Sequence, residues 1–122
     1  MKNALEPFLH NGTFVFACVP DPDLARDLRP VASIQESEGV TVVVPEDVAL
    51  RKGLDVLFRA AWISLRMPSE LDDVGLTAAF SSALAQAGIP CNVVAGAYHD
   101  HIFVRIDTAE LAMDILRDLS LG

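Results

Sequence analysis

The chain has 122 residues, 52% of them hydrophobic, with nine basic against 17 acidic side chains and a net charge of −8. That length allows one ordinary domain or two very small ones, with enough Val, Leu and Ala for a real core and no low-complexity tract. The few Lys and Arg are scattered and form no basic stripe to neutralise phosphates or dock on an anionic bilayer, so neither nucleic acid nor membrane is an expected partner.

The opening stretch MKNALEPFLHNG has one lysine and no apolar core region, so it does not read as a signal peptide, and no apolar run is long enough for a bilayer. Cys18 and Cys91 each sit in an apolar segment and read as buried free thiols of a cytoplasmic protein. Residues 13–19, TFVFACV, follow the turn pair Asn11-Gly12 and read as a strand, closed by Pro20 and Pro22. Residues 23–29 have room for one or two helical turns, because Pro30 pushes Arg29 out of the helical region. Residues 31–35 form a weaker strand, and residues 36–39 a turn in which Gly39 is free to take a positive φ. VTVVV at 40–44 lacks alternation, which points to burial on both faces. Pro45 then opens a short helix with Glu46 and Asp47 at its positive end, running to about Lys52 before Gly53 stops it.

Residues 60–67 alternate, with Ala61, Ile63, Leu65 and Met67 on one face and Trp62, Ser64 and Arg66 on the other, as in a half-buried strand. Residues 70–74 form an acidic loop. Leu76, Phe80, Ala83, Leu84 and Ala87 then fall at helical spacing, Gly88 suits the left-handed position after the helix, and Pro90 prevents its resumption. Residues 91–95 and 101–106 read as strands joined by a turn at 96–100. Asp107 with Glu110 matches a reciprocal capping pattern for a last helix, whose expected apolar stripe is Leu111, Ile115, Leu116 and Leu119. The second half thus reads βαββα, a ferredoxin-like unit short of its last strand. That strand could come from the first half or from a second copy; the first half, whose VTVVV strand needs a buried position, is the expected donor. Its own order of β, short segment, β, β and short helix echoes the second half.

Several phrases sharpen this reading: WISL at 62–65, VGLTAAF at 74–80, CNVVAG at 91–96 and YHDHIFV at 98–104, with LEPFL at 5–9 and EGVTVVV at 38–44. Together they resemble a bacterial family of short tandem ACT-domain proteins and, more distantly, tandem ACT arginine sensors. The resemblance implies an α+β fold of two tandem ACT-like (ferredoxin-like βαββαβ) units, each an antiparallel sheet with helices packed on one face. The first unit, at 1–58, would be degenerate, and the second, at 59–122, an ACT domain. It further implies a small-molecule ligand, often an amino acid, near the loop between first strand and first helix, here 68–77. Such sites commonly lie at an interface, so a homodimer is the expected assembly. The nearly absent first helix of the first half argues against a second, equivalent site.

On that loop the candidate contacts are Ser69, Val74, Gly75, Leu76 and Thr77. Gly75 leaves the backbone open, the N–H groups of Leu76 and Thr77 point outward from a helix start, and such a start favours an anion such as a carboxylate. The plainer account of Gly75 is a sharp entry into the helix. Asn92, Tyr98, His99, Asp100 and His101 complete the candidate set. Asn92 lies in an apolar strand, where a buried amide must be hydrogen-bonded. His99, Asp100 and His101 are metal-ligating types, yet neighbours in a turn diverge and His10 is the one further imidazole. Asp100 as a turn former and His101 as a cross-strand partner is the simpler reading, so no metal or cofactor is expected. Trp62 reads as packing and not as a stacking platform. With no nucleophile elbow, phosphate loop or paired carboxylates, catalysis is not expected. A small-molecule sensor is therefore the expected function. A ligand-free dimerisation module is the alternative, and a small metal enzyme on His99, Asp100 and His101 the least favoured.

Overall fold

The computed structural model describes residues 5–67 and 75–119. The chain forms two compact units, Gly12–Ala60 on one hand and Met1–Asn11 with Ala61–Gly122 on the other. The first strand, β1 (Pro7–Leu9), therefore belongs with the second unit.

The N-terminal unit contains β2 (Phe14–Val19), α1 (Pro22–Asp27), β3 (Ala32–Glu36), β4 (Gly39–Pro45), α2 (Glu46–Lys52) and the opening residues of β5 (Phe58–Leu65). Its strands lie in the order β3-β4-β2-β5, all pairs antiparallel, with Phe14 opposite Ala60 and Val15 opposite Val44. This is the ferredoxin-like βαββαβ arrangement with shortened helices. The core alternates as strand periodicity requires: Val15, Ala17 and Val19 of β2 meet Val40, Val42 and Val44 of β4, and Ala25, Leu28 and Ala49 close it from the helical side. Val43 is buried too, so β4 is covered on both faces as its unbroken valine run suggests. The helix ends follow local chemistry. Asp21 caps α1 by accepting from the Leu24 N–H at 2.8 Å, and Arg29, before Pro30, leaves the helical region at φ 50°. Gly53 ends α2 in the left-handed conformation, φ 66°.

The C-terminal unit contains β1, the rest of β5, α3 (Gly75–Gln86), β6 (Cys91–Ala95), β7 (Asp100–Arg105), a 3-10 turn over Ile106–Thr108 and α4 (Ala109–Asp118). Its strand order is β1-β5-β7-β6. Pro7, Phe8 and Leu9 pair antiparallel with Leu65, Ser64 and Ile63, so β1 supplies the fourth strand. The first half does provide it, but not through VTVVV, which sits between β3 and β2 in the other unit. A three-residue strand opening on proline carries too little pattern to be read from sequence. β5 serves twice: residues 58–60 complete the N-terminal unit, and the expected boundary at 58/59 runs through it. Leu5, Ala61, Ile63, Leu65, Ile102 and Val104 form the sheet side of the core, and Leu76, Phe80, Leu84, Ala112, Met113 and Leu116 the helix side.

Three sequence expectations need correction here. The last helix does not begin at Asp107, whose carboxylate is held by Arg105 at 3.0 Å. A 3-10 turn precedes the helix, which starts at Ala109 with no side-chain cap bond. The phase therefore shifts: Ala112, Met113 and Leu116 face inward while Leu111 is exposed. Both cysteines are free, yet neither is buried. Cys18 is exposed because Val15, Ala17 and Val19 take the inward positions of β2, and Cys91 opens the edge strand β6. Among the described residues, no helix is long and apolar enough to cross a membrane.

Candidate functional site

Two groups of polar side chains stand out in the C-terminal unit. The first lies at the end where β5 hands the chain to α3. His101, just after the β6–β7 turn, is hydrogen-bonded to Ser64 near the end of β5, so the turn sits at that end. α3 terminates against the start of β6, where the Ile89 N–H donates to the Leu84 carbonyl, so α3 must begin at the turn end. The helix start and the turn thereby lie at the same end of the unit. Gly75 and Thr77 are exposed there, while Leu76 is buried in the core and not presented outward. Ser69 and Val74, with the acidic loop 70–74, lie outside the described residues.

The turn is closed by the Gly96 N–H donating to the His99 carbonyl at 2.9 Å. A Cβ at position 96 would stand 2.9 Å from that carbonyl oxygen and 3.3 Å from His101 Nε2, so only glycine fits without displacement. Tyr98 is 81% exposed, and Asp100 is buried as the first residue of β7. His99 is half-buried, and its Nδ1 is buried with no hydrogen-bond partner among the described residues. Asn92 is not part of this end. It pairs in register with Phe103, three positions from Ala95 and the turn, and it is exposed because β6 is an edge strand. Its amide needs no buried partner, contrary to the reading from its apolar neighbours.

The second group occupies the sheet face away from α3 and α4. Trp62 and Ser64 come from β5, His101 from β7, and His10 directly follows β1. Ser64 Oγ is 2.7 Å from His10 Nε2 and 2.8 Å from His101 Nδ1, and Trp62 Nε1 donates to the same His101 nitrogen at 3.1 Å. The His10 ring lies flat on Trp62, with centroids 3.4 Å apart and planes 9° apart, so Trp62 packs against this chain's own imidazole. Phe8 meets His10 edge-on, and the Arg66 guanidinium sits 3.8 Å over Phe8. Burial lowers both imidazoles from their ordinary pKa. His99 adds to this at His101, where Asp100 pulls the other way; His101 and then Arg66 add to it at His10.

Ser64 is 4% exposed and engaged on both sides, so its hydroxyl is a structural bridge and not an accessible nucleophile. Among the described residues, no three His, Cys, Asp or Glu side chains converge as a metal would need. A cleft of about 490 Å³ lined by Ser81, Ala85, Gly88, Ile89, Pro90 and Cys91 lies at the opposite end of α3, away from the helix start and turn. The sequence places Trp62 and Ser64 on one strand face, but nothing joins them to His10. That residue is 54 positions from Ser64 and adjoins a strand too short to show a period.

An ACT-domain model matches residues 2–61, and a second matches residues 58–118. The two overlap where β5 serves both units. No curated protein matches the chain. Among solved structures, a Vibrio cholerae protein of unknown function, described as a possible transport protein, is 39% identical. It aligns over 96% of this chain and 90% of its own, with a TM-score of 0.89. A protein from Agrobacterium tumefaciens is 22% identical over 90% of this chain and 84% of that one, TM-score 0.73. The ligand-free regulatory subunit of aspartate kinase from Thermus thermophilus is 16% identical over 93% and 95%, TM-score 0.69. The last two are likenesses of fold.

Proposed function

Since the chain belongs to the family of tandem ACT-domain proteins, we propose that it is a regulatory protein whose C-terminal unit binds a small molecule. An amino acid is the expected class, and the helix start at Gly75–Thr77 with the turn at Tyr98–His101 is the expected place. His99 carries this reading. A buried imidazole nitrogen without a partner is rare in a folded protein and marks a position where a ligand group can complete the bond. The α3 start, at the same end of the unit, favours a carboxylate. Binding would bias association of two copies by linkage, since a ligand that prefers one arrangement shifts the population toward it. The two free cysteines fit a reducing, cytoplasmic setting. No catalytic role is proposed.

A thermal-shift panel of the common amino acids tests the proposal. Ligand at a hundred times its dissociation constant stabilises by about 2.7 kcal/mol. Gly75→Val should erase that shift in a protein that still folds. A panel in which no amino acid or related metabolite moves the melting temperature removes the sensor reading. The second reading, a dimerisation module without ligand, is favoured by the edge strands β3 and β6, which carry the exposed Ile34 and Val93. A dimer whose association is indifferent to every amino acid would support it.

A further inference from the structure

The cluster of His10, Trp62, Ser64 and His101 admits one arrangement of protons. An indole can only donate, so His101 Nδ1, 3.1 Å from Trp62 Nε1, accepts and carries no proton. Ser64 Oγ lies 2.8 Å from that same nitrogen. Two lone pairs at such a distance would repel, so the hydroxyl donates to His101, and its oxygen accepts from His10 Nε2 at 2.7 Å. His101 is therefore neutral, with its proton on Nε2. An imidazolium would set an Nδ1 proton against the Trp62 N–H. The serine can rotate its hydroxyl away, but the indole cannot.

The strand this cluster holds is short; Leu5, fully buried in the core just before it, and Leu9, packed against that core, anchor its apolar side. β1 has three residues, and its ladder to β5 is extended by the His10 N–H to the Trp62 carbonyl, with the Arg66 and Met67 N–H groups reaching Glu6 and Leu5. A strand so short depends on side-chain ties, and His10 is both stacked on Trp62 and bonded to Ser64. Among the described residues, the charged and titratable groups around His101 are His10, which follows β1, and His99 and Asp100 next to it in the chain; Arg66, just after β5, acts on His10. β6 brings only Val94 opposite His101.

We propose that these four side chains form a proton-sensitive clasp: with His101 neutral it ties β1 to the β5–β7 pair, and protonation of His101 opens it. Opening loosens β1 from its His10 end against the anchor of the buried Leu5, and eases exposure of the edge of β5 at Ile63–Leu65. The lowered pKa values of both imidazoles agree with a clasp that is closed at neutral pH. The clasp operates without any ligand, so its test and that of the sensor reading fail independently.

Histidine side-chain NMR on the full chain, with amide exchange at several pH values, decides the matter. At neutral pH His101 should show a protonated Nε2 and a bare Nδ1. Acidification through its midpoint should displace the Trp62 indole resonance and speed exchange at the His10, Arg66 and Met67 amides. The acceleration should reach up to about tenfold for each unit between that midpoint and the ordinary value, with β2–β4 amides unaffected. Trp62→Phe keeps the ring but removes the donor, so the His101 midpoint should rise toward its ordinary value, which a purely packing role would not produce. His101→Gln should remove the part of the pH response that follows the His101 midpoint, leaving only what His10 contributes. A neutral-pH proton on Nδ1, exchange indifferent to the His101 titration, or an unmoved midpoint in folded Trp62→Phe would each overturn the proposal. If Trp62→Phe does not fold, the wild-type tautomer and exchange profile still decide.

Discussion

Replacing Gly96 with alanine pits two effects of opposite sign. At a compatible position, glycine to alanine stabilises by roughly 0.4–1 kcal/mol, because the unfolded chain has fewer conformations to lose. Position 96 is not compatible. The new Cβ would lie 2.9 Å from the His99 carbonyl oxygen, which already accepts the Gly96 N–H across the turn, and 3.3 Å from His101 Nε2. The imidazole can swing a few tenths of an ångström, but the carbonyl is turn backbone and moves only by opening the hairpin. Overpacking of this kind costs about 1–3 kcal/mol, so the net expectation is a loss of roughly 0.5–2 kcal/mol. Urea unfolding measures it directly, with Gly88→Ala as the control. That site has φ 75° but nothing within 4 Å of a new Cβ, so it reports backbone strain alone. A Gly96→Ala protein as stable as the wild type, or more so, would refute the close approach of the turn to His101 and the geometry of both polar groups.

Phe80 is fully buried among Leu76, Leu84 and the β5 and β7 side chains of the C-terminal core. Phe80→Ala should cost about 3–5 kcal/mol by denaturant unfolding, a large part of the ~5–15 kcal/mol of a typical domain; a loss under about 1.5 kcal/mol would mean that the site collapses or is not packed. Stability should also depend on pH through His10 and His101. Both are held below the ordinary 6.5 in the folded chain, so the unfolded chain takes up protons first as pH falls. Stability is then full above the ordinary value, declines as pH drops from there through the folded midpoints, and levels off below them. Urea midpoints across that window should show this decline, and a flat wild-type profile would contradict it. Glu46, lowered by Arg59, contributes only at more acid pH.

The elements of this fold were readable wherever a single local rule decides them. The 3.6-residue spacing of Leu76, Phe80 and Leu84 places α3. The alternation around Ile63 places β5, and Pro45 with Gly53 brackets α2. Two weak signals compete at Asp107: its position suits a cap, but Arg105 claims its carboxylate and the helix starts later in a different phase. Asn92 and Cys91 looked buried because strand neighbours are apolar, and only the sheet order shows β6 to be an edge.

Composition, charge and periodicity by themselves determined an α+β chain whose second half is a ferredoxin-like unit short of one strand, and the phrase pattern pointed to the family and its two tandem units. They also marked the Tyr98–His101 turn, since glycine, acid and imidazole in a turn are visible without coordinates. Tertiary structure alone decided that the fourth strand of the C-terminal unit comes from residues 7–9, and that His10 thereby meets Trp62, Ser64 and His101. The physical reason is the range of the forces. Helix and turn signals act over a few residues, whereas strand pairing and the sharing of protons among buried imidazoles depend on which distant segments the core has brought into contact.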